Sequence, residues 1–384
     1  MEETLTPRTR FIRAVLFQPV DRPPYIETHG FWLQAVERWH NEGLPLSVRH
    51  KSEPADFRSG DITIEQYFQQ EVYSWAPFVG SPTQTPFWPL FEEKTLQEDE
   101  HYRIFQDKSG VVKKDVKKGR SMPQFLKFPV ESRADWEILK ERLDPTCEER
   151  YEGARKAAAD GFNMRHDLIT YPVCGAYGMP RNLFGEEKLA CLYYDDPGLL
   201  RDIMDCWLCF YVGSTRRFTA IIDFDFVYFW EDMAYKTGPL IGPKLVREFM
   251  MPYYRQLIEE MKKMGLKVFS LDSDGNIKVI MDMFIEAGIN NFLPCEIAAD
   301  MEPQWVSARY GRRCSIQGGL DKRALSKDKA AIEAEVMRKV PKLLPRGGYI
   351  PGVDHSVPND VPLENFRYLV DLLRKLGREI KPQV

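Results

Sequence analysis

The chain lacks any stretch of about 18 consecutive apolar residues, the length a membrane-crossing helix needs, so no membrane span is expected. It lacks an excess of positive charge. The 53 lysines and arginines face 57 aspartates and glutamates, for a formal net charge of −4, which excludes the basic footprint of a nucleic-acid-binding protein. Cysteine is sparse and unpatterned: seven residues, an odd number without regular spacing, read as reduced thiols of a cytoplasmic protein rather than a disulfide framework. Cys206-x-x-Cys209 falls inside a long helical pattern beside Trp207 and Leu208, where packing outweighs a redox role. The opening MEETLTPRTRF is charged and without the apolar centre of a signal peptide. No Gly-x-Gly-x-x-Gly follows the first candidate strand, which removes the main sign of a doubly wound dinucleotide-binding sheet, the competing fold.

What is present is a globular composition, 43% hydrophobic over 384 residues, arranged in an alternating rhythm. An amphipathic helix over 8–17 gives way to Asp21-Arg22-Pro23-Pro24 and a short strand over 25–28. From about Glu131 onward, strand candidates at 166–171, Phe226–Trp230, 267–271, 291–294, 314–317 and 349–351 alternate with helical stretches. With the strand at 25–28 and another over 72–79 they make eight, and alternating strands and helices imply a parallel sheet. The expected fold is therefore a single-domain (β/α)8 TIM barrel spanning 1–384. The stretch 88–120 alternates differently, with a Lys-Ser-Gly turn at 108–110, and reads as an inserted antiparallel β-hairpin.

Barrel enzymes carry their chemistry on the loops that follow the strands. Past the strand candidates stand Glu231 and Asp232, then Asp272 and Asp274, Glu296, Gly318-Gly319, and finally Asp354 and His355. Side chains two apart on a strand share a face, so Asp272 and Asp274 point the same way. So many carboxylates at one mouth repel one another unless a cation or raised pKa values relieve them. Each also has a structural reading. Asp272 and Asp274 could cap a helix starting near Asn276, and Glu231 and Glu296 could pair with arginines. Phe31-Trp32, Phe87-Trp88 and 228–230 could be core or could wall a flat pocket.

Taken together, PVDRPPYIETHG, EDMAYKTGPLIGPKLVREFMMPYY, LDSDGN, GGLDKRAL and GGYIPGVDHSVPNDVPLENF resemble the uroporphyrinogen decarboxylase superfamily, from about Arg8 to Leu376. The resemblance implies a (β/α)8 barrel and one of two activities: decarboxylation in porphyrin metabolism, or cobalamin-dependent methyl transfer. The decarboxylases follow their first strand with an arginine-rich segment that grips the tetrapyrrole's carboxylates. Here the matching stretch, YIETHGFWLQAVERWH, has Glu27, His29 and Trp32 instead. Thiol-using methyltransferases of the superfamily hold zinc with His-x-Cys-Gly and a later Cys, and those positions correspond here to Asp272, Asp274 and His355.

Carboxylates with imidazole suit an oxygen-directed site rather than a thiol-activating one. The chain is accordingly most similar to the branch that demethylates methoxylated aromatics. That likeness implies Zn2+ held by Asp272, Asp274, Glu296 and His355, with Asp272, His355 and Glu231 catalytic. Trp32, His29, Trp230 and Tyr171 would hold the substrate. No Asp-x-His-x-x-Gly signature for corrinoid binding occurs, so the corrinoid is expected on a separate partner protein that accepts the methyl group from a small-molecule donor. A non-catalytic binding barrel is the third reading.

Overall fold

The computed structural model describes residues 4–52, 57–77, 83–117 and 123–381. Seven parallel strands form one curled sheet: β1 (Tyr73–Trp75), β2 (Leu168–Cys174), β3 (Phe226–Trp230), β4 (Phe269–Asp272), β5 (Asn291–Leu293), β6 (Ser315–Gln317) and β7 (Tyr349–Ile350). Neighbours in space are neighbours in sequence from β1 to β7. This is the order that right-handed strand–helix–strand units produce as they wind round a barrel.

The expected eighth strand at 25–28 lies beside β7 without making a ladder. Tyr25 O accepts from Glu71 N, just before β1, at 2.9 Å, and the Glu27 carboxylate takes Val353 N, just after β7, at 2.9 Å. Two prolines, Pro23 and Pro24, precede this stretch, and proline has no N–H to give a ladder. The closing seam is thus made by a side chain and single bonds. The strand expected over 72–79 is three residues long, and residues 78 and 79 lie outside those described.

Strand parity divides the core in two. In β3, Val227 and Phe229 join the large cluster under the helices, while Phe226 and Tyr228 face the barrel axis with Ile26, Leu168, Val268, Leu293 and Ile350. The first helix, α1 (Pro7–Val15), closes the floor. Thr6 caps it by accepting from Thr9 N, proline begins it, and Phe11 and Val15 insert among the axial residues. Above this apolar floor the axis becomes polar, with Ser270, Asn291, Ser315 and Gln317 all fully buried.

A separate antiparallel sheet has four strands in sequence order, Lys94–Glu98, Tyr102–Gln106, Val112–Val116 and Gln124–Lys127. The turn at 108–110 joins its second and third strands. The expectation for 88–120 was two strands; residues 118–120 lie outside those described. Among the described residues no helix is long and apolar enough to cross a membrane.

Candidate functional site at the strand C-terminal ends

Four carboxylates at the mouth are engaged in holding loops. Glu231, at the end of β3, is fully buried and accepts from the N–H groups of Ala176 (2.8 Å), Tyr177 (2.8 Å) and Gly178 (3.1 Å) in the loop after β2, and from Tyr254 OH. Glycine is required at 175, because a Cβ there would sit 2.3 Å from the Glu231 carboxyl carbon. Burial pushes Glu231 up to about 7, although the bonds from Tyr254 and the three backbone N–H groups oppose the rise. Asp354 reaches from the β7 loop to Ile297 N (2.9 Å) and Lys322 N (3.0 Å), fastening the loops after β5 and β6. Glu296 accepts from Gly275 N at 3.2 Å with Lys322 Nζ 3.9 Å away. Glu27, as described, fastens the β7 loop, and burial pushes it up to about 8 against that one backbone bond.

These clamps frame a cavity of ≈ 380 Å3, lined among others by His29, Trp75, Tyr228, Trp230, Asp272, Asp274 and His355. That volume is in the range of about 300–1,000 Å3 usual for small-molecule sites. Asp272 and Asp274 both line it. Asp272 Oδ2 accepts from Tyr228 OH at 2.5 Å and lies 3.3 Å from His29 Nε2. Asp274 Oδ2 lies 3.4 Å from His355 Nε2. Gly275 lets the chain turn immediately after them with φ +77°, where a Cβ would lie 2.3 Å from Ala234 O.

The electrostatics follow from these pairs. Burial works against the charged form of His29, but the charge and hydrogen bond of Asp272 outweigh it and raise the imidazole above its ordinary value. Burial would raise Asp274, yet the hydrogen bond and charge of His355, with His29 and Lys322 beyond, hold it below the usual carboxylate range. Burial and then Asp272 push the Tyr228 phenol well above its usual range. Asp232, in the left-handed region at φ 44°, is raised by burial, opposed by Arg181, with Asp274 and Asp272 adding to the rise. Two buried polar atoms in the cavity wall have no partner, His29 Nδ1 and Asp274 Oδ1.

The set expected to hold zinc is divided among other tasks. Asp272 serves Tyr228 and His29, Asp274 serves His355, and Glu296 serves a backbone amide. Among the described residues, no three His, Cys, Asp or Glu side chains are placed to hold one ion. The residues therefore do not fit a zinc site as arranged. Glu231, expected to be catalytic, is a clamp outside the cavity wall. Tyr171 has the outward parity of β2 and bonds Ser214 Oγ at 2.8 Å beneath the helices. Trp32 is half exposed outside the lining, whereas His29 and Trp230 are in it.

Sequence reasoning missed Thr28, Lys51, Tyr73, Trp75 and Thr83 as lining residues and left Tyr228 open between core and pocket wall. Parity within β3 would have decided Tyr228, which alternates with the outward Val227 and Phe229.

Residues 224–376 match the family described as uroporphyrinogen decarboxylase (URO-D). Among curated relatives, the uroporphyrinogen decarboxylase of Carboxydothermus hydrogenoformans is 23% identical over 137 residues, covering 36% of this chain and 38% of the relative. That of Solibacter usitatus is 30% identical over 144 residues, again 36% and 38%. The chain thus matches under two-fifths of the length of these relatives. A solved methyltransferase from Methanosarcina mazei superposes with a TM-score of 0.62 at 13% identity, covering 97% of this chain and 99% of that one, a likeness of fold.

Proposed function

From the match of residues 224–376 to the uroporphyrinogen decarboxylase family and the character of the site, we infer a methyltransferase of that superfamily that moves a methyl group from a small methoxylated aromatic compound to the Co(I) of a corrinoid carried by a partner protein. The observation that carries this reading is the character of the cavity wall. It contains four large aromatic side chains, Tyr73, Trp75, Tyr228 and Trp230, and three aspartates, and among the described residues no arginine lines it. A tetrapyrrole with many carboxylates would meet Asp232, Asp272 and Asp274 without the bidentate cations such groups require. A neutral aromatic ring finds flat apolar walls instead.

The chemistry asked of the protein is to help an aryl ether oxygen leave. The acceptor's electron pair forms the new bond to the methyl carbon, and the C–O pair stays on the oxygen as phenolate, which must then be neutralised. We assign that to His29, which lines the cavity and whose Nδ1, shut off from solvent, must turn toward the oxygen to deliver the proton. Asp272 takes the Nε2 side and favours the imidazolium, leaving the N–H at Nδ1 with no protein acceptor. A phenol ionises near pH 10, so a proton donor of moderate acidity suffices. Tyr228, by donating to Asp272, fixes the carboxylate that orients His29. No step passes through a metal held by this chain.

The test mixes the protein with a reduced corrinoid protein and guaiacol. Loss of the Co(I) absorbance with release of catechol is expected, and uroporphyrinogen is expected to remain unchanged. Decarboxylation of uroporphyrinogen, with no methyl transfer across a panel of ethers and corrinoid proteins, would overturn the reading.

A further inference from the structure

Thr28 and Tyr73 both line the cavity, and the hydroxyls of both rest on one buried amide. Gln317 Nε2 donates to Thr28 Oγ1 at 2.9 Å and to Tyr73 OH. Gln317 is wholly inaccessible, as are its neighbours Asn291, Ser270 and Ser315. Asn291 Nδ2 donates to Gln317 Oε1 (3.3 Å) and Ser270 Oγ (3.0 Å), and Asn291 Oδ1 accepts from Ser315 Oγ (2.9 Å).

The orientation of both amides follows from counting hydrogens. As placed, all four amide hydrogens of Asn291 and Gln317 have acceptors. Turning both amides over would give Asn291 N–H only Ser315 Oγ and Gln317 N–H only Asn291 Oδ1, leaving two amide hydrogens unpaired on wholly inaccessible residues, whereas as placed the two hydrogens without an acceptor are those of Thr28 and Tyr73, residues of the cavity wall. Each unpaired group costs on the order of 1–3 kcal/mol.

With Gln317 donating to both hydroxyl oxygens, neither hydroxyl can spend its proton on Gln317. We propose that Gln317 is a positioning residue that turns Thr28 and Tyr73 into hydrogen-bond donors at the cavity floor, so that the site selects a substrate oxygen that only accepts and turns away an amine N–H. Two donors side by side satisfy the lone pairs of an ether or phenolate oxygen. An N–H pointed at them can reach only the second lone pair of a hydroxyl already bonded to Gln317, and it leaves that hydroxyl's own proton without an acceptor. This deepens the methyl-transfer reading, on which it rests for the choice of ligand, by separating O-methyl from N-methyl donors.

The experiment measures binding alone, by ligand-observed NMR titration. Anisole and N-methylaniline are the probes; both are neutral at pH 7 and of nearly the same shape, and any N–H bond to the lining aspartates is common to the wild type and the variants, so the change in ratio on substitution isolates the hydroxyls. The wild-type protein should bind anisole roughly fivefold or more tightly than N-methylaniline, the worth of about one hydrogen bond. Tyr73→Phe and Gln317→Met should each bring the ratio near one. Gln317→Glu should invert it, since its carboxylate would accept both hydroxyl protons and leave lone pairs facing the cavity. A wild-type ratio near or below one, or a ratio unmoved in Tyr73→Phe, which deletes a single oxygen and so guards against misfolding of the Gln317 variants, overturns the proposal. Selective binding of anisole with no methyl transfer to corrinoid proteins would sink the methyltransferase reading and leave this assignment standing. Methyl transfer with equal binding of the two probes would do the reverse.

Discussion

His29 and His355 lie ring over ring, with centroids 4.6 Å apart and planes 18° from parallel, yet each addresses a different aspartate. His29 takes Asp272 at 3.3 Å and His355 takes Asp274 at 3.4 Å. The residues contributing these rings are separated by almost the whole chain, and the stack spans the seam between the first loop and the last. Only one of the two has a buried ring nitrogen left without a partner, Nδ1 of His29.

That difference predicts unequal roles. His29→Gln should lower kcat by about 10²–10⁴, the usual worth of a positioned proton donor. His355→Gln should cost roughly tenfold, through the loss of one charge-assisted partner of Asp274. In the wild type, log kcat should fall as pH rises through the raised value of His29, which loses its proton there. A pH–rate profile of His29→Gln that retains this limb would remove His29 from the mechanism.

Stability should decline toward alkaline pH. Glu27 is pushed up to about 8 and Glu231 to about 7, both above the ordinary 4.5. Each favours its protonated form in the fold, so its contribution is fully present below pH 4.5 and is lost as pH rises through 7 and 8. His29 acts with the same sign. Asp274 acts oppositely, contributing above its ordinary value of 3.8 and losing that contribution as acid protonates it. Glu27→Gln keeps an oxygen for Val353 N and cannot ionise, so it should flatten the slope of melting temperature between pH 6 and 8. The effect at pH 8 should be on the order of a few kcal/mol.

Gly275→Ala should be severely destabilising, by roughly 2–4 kcal/mol, because it combines a left-handed backbone with a contact that cannot be relieved by a side-chain rotation. The midpoint of denaturant unfolding measures this, and a shift under about 0.5 kcal/mol would show that the loop after β4 yields freely.

Elemental analysis of protein purified without chelator should find well under one equivalent of divalent metal, and EDTA should leave methyl transfer by the protein unchanged. Stoichiometric zinc bound through Asp272 and His355 would require those side chains to leave their present partners and would replace the proton-donor account.

The sequence rhythm was sufficient for the sheet because strands buried on both faces are apolar, and 226–230, 269–272 and 291–293 stand out against charged helices. It was insufficient at 25–28, which two prolines precede and where a carboxylate stands in for the ladder. Asp272, Asp274 and His355 were legible as neighbours since they follow strands. Whether a strand-end acid faces the cavity or grips a loop was not legible. Glu231 and Asp232 are adjacent, and one is fully buried while the other lines the mouth. Their fates are decided by which backbone amides the neighbouring loops present, and no periodicity encodes that.

The carboxylate clamps have a consequence for anyone rebuilding this mouth. A barrel is commonly cut into units of a strand with its own following loop. Here the end of β3 is fastened to the loop after β2, the loop after β5 to the one after β4, and the loop after β7 to those after β5 and β6. A loop grafted alone would arrive with its backbone amides facing an acid shaped for another partner, or none. The transferable piece is therefore a strand end together with its neighbour's loop, and the rim behaves as a hoop whose joints lie between the units rather than within them.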